Sequence, residues 1–317
     1  MIDRIMSYIM PQKCSDIGER ALIRRISKIL GGIEQEDCAV IDVGKDFLVV
    51  STDLLHRETD FPEAASPWQM GWMSAAVNLS DIAAMGAMPL GLLIAVGLPE
   101  DSSIDLVDGL FSGLRDCASA FETAVLGGDT DSHQELTVCG TALGRVEKDL
   151  VLRRRGARPG DLICTTGALG GAGGGLKFLL EGGCGDLARR LLEPQPRLAE
   201  GRALALSGAV TSMMDNSDGL ALSLHDLAHA GGAGFLIREG DIPIDSKVEA
   251  LFPGEGLDLA LHAGGDFELL FTVRPDRLEE AEDACPLTPI GVVVDSGVWM
   301  EGSSGRQRLE ARGYQHL

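Results

Sequence analysis

Hydrophobic and polar residues follow each other along the first fifty positions in short patterned runs. Residues 38–43 and 47–51 are β-rich runs joined by Gly44 and Lys45, which predicts a β-hairpin. Before them, the apolar residues within 17–26 suit one face of a helix, which Asp16 is predicted to cap. The chain is therefore predicted to begin with a helix followed by two antiparallel strands.

The alternation of helices and strands continues to residue 147. Pro67 is predicted to open a helical stretch of small residues that runs through Ala87. A second helix is predicted at residues 104–121, and strands are predicted at residues 90–98, 123–126 and 136–146. These elements together predict a first sheet with helices packed against it.

A second half begins after a change of composition. Charged and Gly- or Pro-bearing residues at 147–159 mark a boundary, which we place between residues 148 and 149. A strand at 162–166, a glycine-rich segment at 167–175 and further alternation follow. The pattern predicts an α/β (α+β) protein with two domains, residues 1–148 and 149–317.

Composition narrows the class of protein. With 48 acidic and 27 basic residues the net charge is −21, which disfavours binding to a nucleic-acid backbone. The apolar stretches are too short to span a membrane, and Asp3 and Arg4 argue against a signal peptide at residues 1–10. The cysteines are spread singly without a C-x-x-C pair, so we expect reduced core thiols and a cytoplasmic protein.

Acidic residues recur in five short motifs that each adjoin an apolar run. The motifs are Glu36-Asp37, Ser51-Thr52-Asp53, Asn78-Leu79-Ser80-Asp81, Gly127-Gly128-Asp129-Thr130 and Asp215-Asn216-Ser217-Asp218-Gly219. Carboxylate and hydroxyl oxygens are the ligands that hard cations prefer, and glycines let a phosphate chain approach the backbone. The sequence therefore predicts a protein that handles a nucleotide through metal ions.

The motifs differ in how well a structural role explains them. Asp81 is the hardest to explain, because it lies in a helical stretch among apolar residues, where an unpaired carboxylate is costly. The motifs at 51–53 and 127–130 are each predicted to follow a strand, and a cap or a tight turn also explains them. Ser217 is predicted to cap the next helix, which leaves Asp215 and Asp218 unexplained.

Other signatures are weak or absent. The glycine run at 167–175 lacks the spacing of a phosphate loop, so close helix-strand packing explains it better. The histidines form no H-E-x-x-H motif, and no G-x-S-x-G motif supports a serine hydrolase. The arginines at 153–155 suit a solvated turn, or one of them clamps a transferring phosphoryl group.

Read in order, these motifs resemble those of the thiamine-monophosphate kinases. The matching segments are Gly18-Glu19, Glu36 to Val40, Ser51 to Asp53, Ala76 to Ala87, Gly127 to Thr130, Arg154 to Asp161, Asp215 to Leu220, Asp266 to Thr272 and Gly313 to His316. The resemblance implies a two-lobed fold like that of aminoimidazole ribonucleotide synthetase. In that fold an N-terminal sheet domain binds ATP and Mg²⁺ and forms a homodimer, and a C-terminal α/β domain completes the active site.

The resemblance also implies the reaction and its residues. ATP would phosphorylate thiamine monophosphate to thiamine diphosphate, with several Mg²⁺ ions. The implied metal ligands are Asp37, Ser51, Thr52, Asp53, Asp81, Asp129, Asp215 and Asp218. The implied nucleotide contacts are Gly128, Asp129, Arg154 and Ser217, and the implied substrate contacts are Asp60, Gly265, Asp266 and Tyr314. Catalysis would fall to Asp81, Asp129, Arg154 and Asp218.

This chain departs from the family pattern at three places. Gln35-Glu36-Asp37 stands where the family has Gly-Asp-Asp, and Gly170-Gly171-Ala172 replaces Gly-Asp-Ser. Asp60 and Gly265 replace a substrate-contacting His and Glu, which changes the side chains offered to the acceptor. Two alternatives remain: another ATP-using enzyme of the same superfamily, and a non-catalytic nucleotide or metal sensor.

Overall fold

The computed structural model describes residues 13–316, which form two compact units. The smaller unit comprises residues 13–35 with 315–316, and it contains helix α1, Glu19–Ile29. The helix begins after Gly18, so the prediction that Asp16 caps it is wrong; Asp16 ends a short 3-10 turn instead. Residues 1–10, and with them the signal-peptide prediction, lie outside the described residues.

The larger unit, Glu36–Tyr314, contains both sheets. The first sheet and its helices are β1 (Ala39–Asp42), β2 (Asp46–His56), α2 (Pro67–Ala84), β3 (Met88–Leu98), α3 (Ile104–Ala120), β4 (Val125–Ser132) and β5 (Thr137–Glu147). The strand order is β1-β2-β5-β3-β4, with only β3 and β4 parallel among neighbouring strands. The predicted hairpin and both predicted helices are confirmed.

Two of the strands are longer than the sequence predicts. Strand β2 continues to His56, and β4 continues to Ser132, so the motifs at 51–53 and 127–130 lie inside strands. The prediction that they follow strand ends is wrong. Because side chains alternate between the faces of a sheet, the three oxygens of residues 51–53 do not emerge together.

The two faces of the first sheet differ in burial. On β2, Ser51 is buried on the face that packs against α2, whereas Thr52 and Leu54 are exposed on the other face. We call this second side the open face. Leu54 and Leu93 on it are 51% and 43% exposed, although both are large apolar side chains.

The second sheet has seven strands in the order β12-β11-β8-β10-β6-β9-β7. Its strands are β6 (Leu162–Thr165), β7 (Val210–Asn216), β8 (Gly234–Arg238), β9 (Glu268–Val273), β10 (Thr288–Val294), β11 (Val298–Gly302) and β12 (Gly305–Arg308). Its helices are α4 (Gly171–Leu180), α5 (Asp186–Leu192), α6 (Leu198–Ser207), α7 (Leu220–Gly231), α8 (Ser246–Leu251), α9 (Gly256–His262) and α10 (Leu278–Ala284). Both halves therefore combine helices with a sheet, as predicted.

Two local predictions in this half are wrong. Helix α7 begins after Gly219, with no side-chain cap, so Ser217 is not its cap. The glycines of α4 allow close contact with other helices rather than with a strand. A Cβ atom at Gly175 would lie 2.6 Å from the carbonyl oxygen of Leu187 in α5, and one at Gly174 would lie 2.5 Å from Val248 in α8.

Residues 13–316 bear on two further expectations, the absence of a membrane-spanning helix and the burial of the cysteines. Within this range no helix is both long and apolar enough to cross a bilayer. Four of the free cysteines are buried, namely Cys38, Cys117, Cys164 and Cys285. Cys14 and Cys184 are exposed, so the expectation of core thiols is wrong for these two.

Candidate active site

Three carboxylates from distant parts of the chain meet in one cluster, which we call the acidic cluster. Asp37 lies just before β1, Asp81 lies in the last turn of α2, and Asp215 lies on β7. One oxygen atom from each lies within 4.8 Å of the others. The acidic cluster therefore joins elements of both sheets, and the resemblance implies metal ligands at all three positions.

Close packing of α2 on strand β5 sets the position of Asp81. A Cβ atom at Gly140 would lie 2.2 Å from Nδ2 of Asn78, and one at Gly144 would lie 2.8 Å from Ile82. Glycine at both positions therefore lets the helix approach the sheet. Asn78 is fully buried and donates from Nδ2 to the carbonyl oxygen of Ser74 at 3.0 Å.

Two serine hydroxyl groups hold two of the carboxylates. Ser51 on β2 donates from Oγ to Oδ2 of Asp81. Ser80, the residue before Asp81 in α2, donates from Oγ to Oδ2 of Asp215 at 2.7 Å. Each hydroxyl fixes the orientation of the carboxylate that it contacts, so the acidic cluster is held by residues that are not themselves charged.

Arg154 provides a cation beside the acidic cluster. Its Nη2 and Nε atoms donate to Oδ1 of Asp37 at 2.6 and 3.2 Å. The backbone amide of Arg154 donates to Oε2 of Glu36 at 2.7 Å. Glu36 therefore holds the backbone of Arg154 while Asp37 holds its guanidinium group.

Burial and like charges perturb the pKa values of these groups. Desolvation, followed by the charges of Asp53, Asp215 and Asp37, raises the pKa of Asp81 well above its ordinary value. Desolvation and the charge of Asp37 raise the pKa of Asp215 to about 7. Burial opposes the charge on Arg154, but Asp37 outweighs it, so the pKa of Arg154 is raised and the group stays cationic.

The donor set of the acidic cluster fits a hard divalent cation. Three carboxylates converge at distances that a single ion can bridge, and oxygen ligands of this kind suit Mg²⁺. Oδ2 of Asp37 is buried and accepts no hydrogen bond from the part of the chain that the structure describes. A buried carboxylate oxygen in that state is costly, and a bound cation would satisfy it.

The other predicted metal ligands lie at varied distances from this cluster. Asp53 is near enough for its charge to raise the pKa of Asp81. The strand register aligns Asp129 with Ala95, which is exposed on the open face, and Thr52 is exposed on that face too. The structure thus groups Asp53 with the acidic cluster and separates Thr52 and Asp129 from it, with Gly128 next to Asp129 on the exposed edge strand β4.

Backbone hydrogen bonds bring together a second group of predicted residues. The amide of Gly265 donates to the carbonyl oxygen of Ser217 at 2.7 Å, and the amide of Tyr314 donates to that of Asp218 at 3.0 Å. These four residues therefore lie side by side just before α7, and two of them, Ser217 and Asp218, closely follow Asp215 along the chain. Asp60 lies apart from them, in a turn after β2, where Oδ2 accepts from the amide of His56 at 2.8 Å.

Asp266 is engaged by a helix end. Its two carboxylate oxygens accept from the amides of Gly170 at 2.6 Å and Ala172 at 2.9 Å, at the first turn of α4. Burial raises the pKa of Asp266 to about 7, although these two amides act in the opposite direction. The next residue, Phe267, has a φ of 51°, a left-handed conformation that costs free energy in a residue with a side chain.

Sequence reasoning did not assign roles to Ser80 and Glu36, although both stand next to predicted ligands. It also missed a partly buried ion pair in which Arg197 donates from Nε to Oε2 of Glu268 at 2.7 Å. Thr166 donates to the same oxygen at 2.6 Å. No local sequence pattern could reveal these contacts, because each one joins residues that are more than 70 positions apart along the chain.

The fold and this site define an AIR synthase related protein. The family model for the N-terminal domain of AIR synthase related proteins matches residues 35–146, and the model for the C-terminal domain matches residues 158–299. The chain is 39% identical to the thiamine-monophosphate kinase of Methanospirillum hungatei over 94% of this chain and 99% of the relative. It therefore belongs to the thiamine-monophosphate kinase family.

Solved structures agree with this assignment. The complex of AaThiL with AMPPCP and TMP has a TM-score of 0.90 and 27% identity, and the match covers 97% of this chain and all of that one. The hydrogenase maturation protein HypE of E. coli has a TM-score of 0.75 at 22% identity, over 93% of this chain and 98% of that one. The second likeness shows a shared fold alone.

Proposed function

We propose that this protein transfers the γ-phosphoryl group of ATP to thiamine monophosphate, which yields ADP and thiamine diphosphate. The acidic cluster of Asp37, Asp81 and Asp215 carries the proposal. Phosphoryl transfer between two anions requires concentrated positive charge, and carboxylates provide it by binding metal ions. The identity of the acceptor rests on the family, whose member from Methanospirillum hungatei is a thiamine-monophosphate kinase.

We propose Mg²⁺ as the ion of the acidic cluster. Asp37, Asp81 and Asp215 would hold it. Ser51, Thr52, Asp53, Asp129 and Asp218 are proposed as ligands of further Mg²⁺ ions, and of these Thr52 and Asp129 lie apart from the acidic cluster on the open face. Held by these carboxylates, Mg²⁺ would supply the positive charge that phosphate oxygens need during in-line displacement. The chain contributes the deprotonated carboxylates and the hydroxyl groups that orient them.

No catalytic base is required for this reaction. The acceptor is a phosphate oxygen that is already largely ionised at neutral pH, since the second pKa of a phosphate monoester is about 6. The side chains then have two tasks, which are to align the reactants and to stabilise charge. Arg154 stays cationic beside Asp37 and is proposed to stabilise the charge on the transferring group. Direct transfer, without a phosphorylated protein intermediate, follows.

We propose a set of contacts for each of the two substrates. Gly128, Asp129, Arg154 and Ser217 are the proposed nucleotide contacts, and Asp60, Gly265, Asp266 and Tyr314 the proposed acceptor contacts. The hydrogen bonds that join Ser217 and Asp218 to Gly265 and Tyr314 support a site just before α7 at which the two substrates meet. Both oxygens of Asp266 accept backbone amides, so this residue would act mainly by holding the loop.

The acceptor test uses pure protein, ATP and Mg²⁺ with either thiamine monophosphate or unphosphorylated thiamine. We expect thiamine diphosphate from the first acceptor and no product from the second, since the phosphate is the nucleophile. ATP turnover that leaves thiamine monophosphate unchanged would favour another superfamily reaction. Binding of ATP without any turnover would favour a sensor.

We also propose a homodimer that forms through the open face. Leu54 and Leu93 leave apolar area exposed there, which a second copy of the sheet would bury. The division into an ATP-binding and dimerising domain at 1–148 and a second domain at 149–317 stays a prediction, as does the cytoplasmic location.

Replacement of Leu93 by Glu is expected to dissociate the dimer. Wild-type protein should have a mass of about twice 33.5 kDa by light scattering, and Leu93→Glu should approach 33.5 kDa. A charge buried in an apolar interface without a partner explains the loss. Ile104→Glu is the matched control, because Ile104 is 73% exposed at the start of α3, away from the open face. A Leu93→Glu protein that keeps the dimer mass would refute this interface.

A further inference from the structure

We infer that Ser80 is a positioning residue that sets the carboxylate of Asp215 for metal binding; this role rests on the proposed function. Ser80 is fully buried in α2, and its hydroxyl reaches across to β7. The hydrogen bond to Oδ2 of Asp215, at 2.7 Å, joins the helix of the first sheet to a strand of the second.

A buried serine in a helix usually has a simpler hydrogen bond within its own helix. Ser74, which lies earlier in α2, is also fully buried, and its hydroxyl donates to the carbonyl oxygen of Met70 at 2.8 Å. The hydroxyl of Ser80 instead contacts a charged group that belongs to the acidic cluster. Its hydrogen bond therefore serves the site and not the helix.

The geometry gives this contact a specific consequence. Asp215 is 2% exposed and lies beside the carboxylates of Asp37 and Asp81, so little solvent is left to contact its oxygens. One short hydrogen bond from Ser80 to Oδ2 fixes the plane of the carboxylate. Neighbours of this kind, which orient a metal ligand without touching the metal, typically raise metal affinity by about 10- to 100-fold.

The test measures Mn²⁺ binding without nucleotide, by the electron paramagnetic resonance signal of free Mn²⁺. Ser80→Ala should bind Mn²⁺ roughly 10-fold more weakly than wild type. The matched control, Ser74→Ala, removes a buried hydroxyl from the same helix and should bind as wild type does. Ser80→Cys keeps the side-chain volume with only a weak donor, so it should lose affinity as Ser80→Ala does.

Melting temperatures of the metal-free variants show whether a loss of Mn²⁺ affinity comes from a misplaced Asp215 carboxylate or from a general packing defect in the fold. Loss of Mn²⁺ affinity in both Ser80 variants, with Ser74→Ala unchanged, supports the inference. Wild-type affinity in Ser80→Ala or Ser80→Cys, or an equal loss in Ser74→Ala, overturns it. If the wild-type protein itself bound no Mn²⁺, the metal site of the proposed function would be refuted. That result is distinct from a failure of the Ser80 inference, which would show as equal Mn²⁺ affinity in the wild type and the Ser80 variants.

Discussion

The variant Asp81→Asn is expected to lose at least about 10³-fold in kcat/KM. The change removes a carboxylate that is proposed to bind the metal ion, whose positive charge the transition state needs. The same change should raise the melting temperature of the metal-free protein at pH 8. Asp81 faces the charges of Asp53, Asp215 and Asp37, and its own ionisation is unfavourable there. An amide of the same shape removes that repulsion, so activity and stability should change in opposite directions.

The measurement combines steady-state kinetics with thermal unfolding in the absence of divalent ions. Asp42→Asn is the matched control, since Asp42 is an exposed carboxylate of the same domain that pairs with Lys148 on the surface. It should change neither property appreciably, because exposed ion pairs contribute little. Asp81→Asn protein with wild-type turnover would remove this residue from the site. A variant that is inactive and also unstable would contradict the repulsion argument.

The metal-free protein is expected to lose stability as the pH rises from about 4 to about 7. Burial raises the pKa of Asp215, and that of Asp266, to about 7 from an ordinary value of 3.8. Between these two pH values the folded state keeps protons that the unfolded state has already lost. Raising the pH therefore favours the unfolded state and lowers the free energy of unfolding. For Asp215, a pKa shift of this size lowers the free energy of unfolding by about 4 kcal/mol.

Mg²⁺ should reverse much of this loss, because the ion binds the deprotonated carboxylates of the acidic cluster. The checking experiment is a series of melting temperatures from pH 5 to pH 8, with and without Mg²⁺. Stabilisation by Mg²⁺ should be small at pH 5 and roughly 5–10 °C at pH 8. Asp215→Asn should reduce the pH dependence of the metal-free protein without abolishing it, because Asp266 still contributes. A melting temperature that rises with pH without Mg²⁺, or equal stabilisation at both pH values, would contradict the proposed site.

Secondary structure was predictable wherever the apolar pattern was long. Helix α2 was predicted because its small apolar residues form a long stretch with Pro67 at the first position; the structure adds Ser66 as its cap. Strand lengths were not predictable where polar residues occur inside a strand. Residues 51–53 read as a strand end, yet Ser51 is satisfied by Asp81 and Thr52 lies on the open face, so β2 continues.

The site itself was predictable only in part. Asp81 could be singled out because a carboxylate among apolar helical residues needs a partner, and its place in the acidic cluster agrees with that reasoning. Its meeting with Asp37 and Asp215 could not be derived from periodicity, since the three residues lie far apart along the chain and on different elements. The resemblance to a known family supplied that link. The role of Ser80 depends on which way one helical turn faces, which only the structure provides.

Transfer of phosphate from ATP labelled at its γ-phosphate tests the central claim most directly. Wild-type protein with Mg²⁺ and thiamine monophosphate should place all of the transferred label in thiamine diphosphate, and the protein should carry none after acid quenching at early times. Label that appears in the protein before it appears in product would contradict direct transfer. Label released only as inorganic phosphate, with thiamine monophosphate unchanged, would contradict the proposed reaction itself.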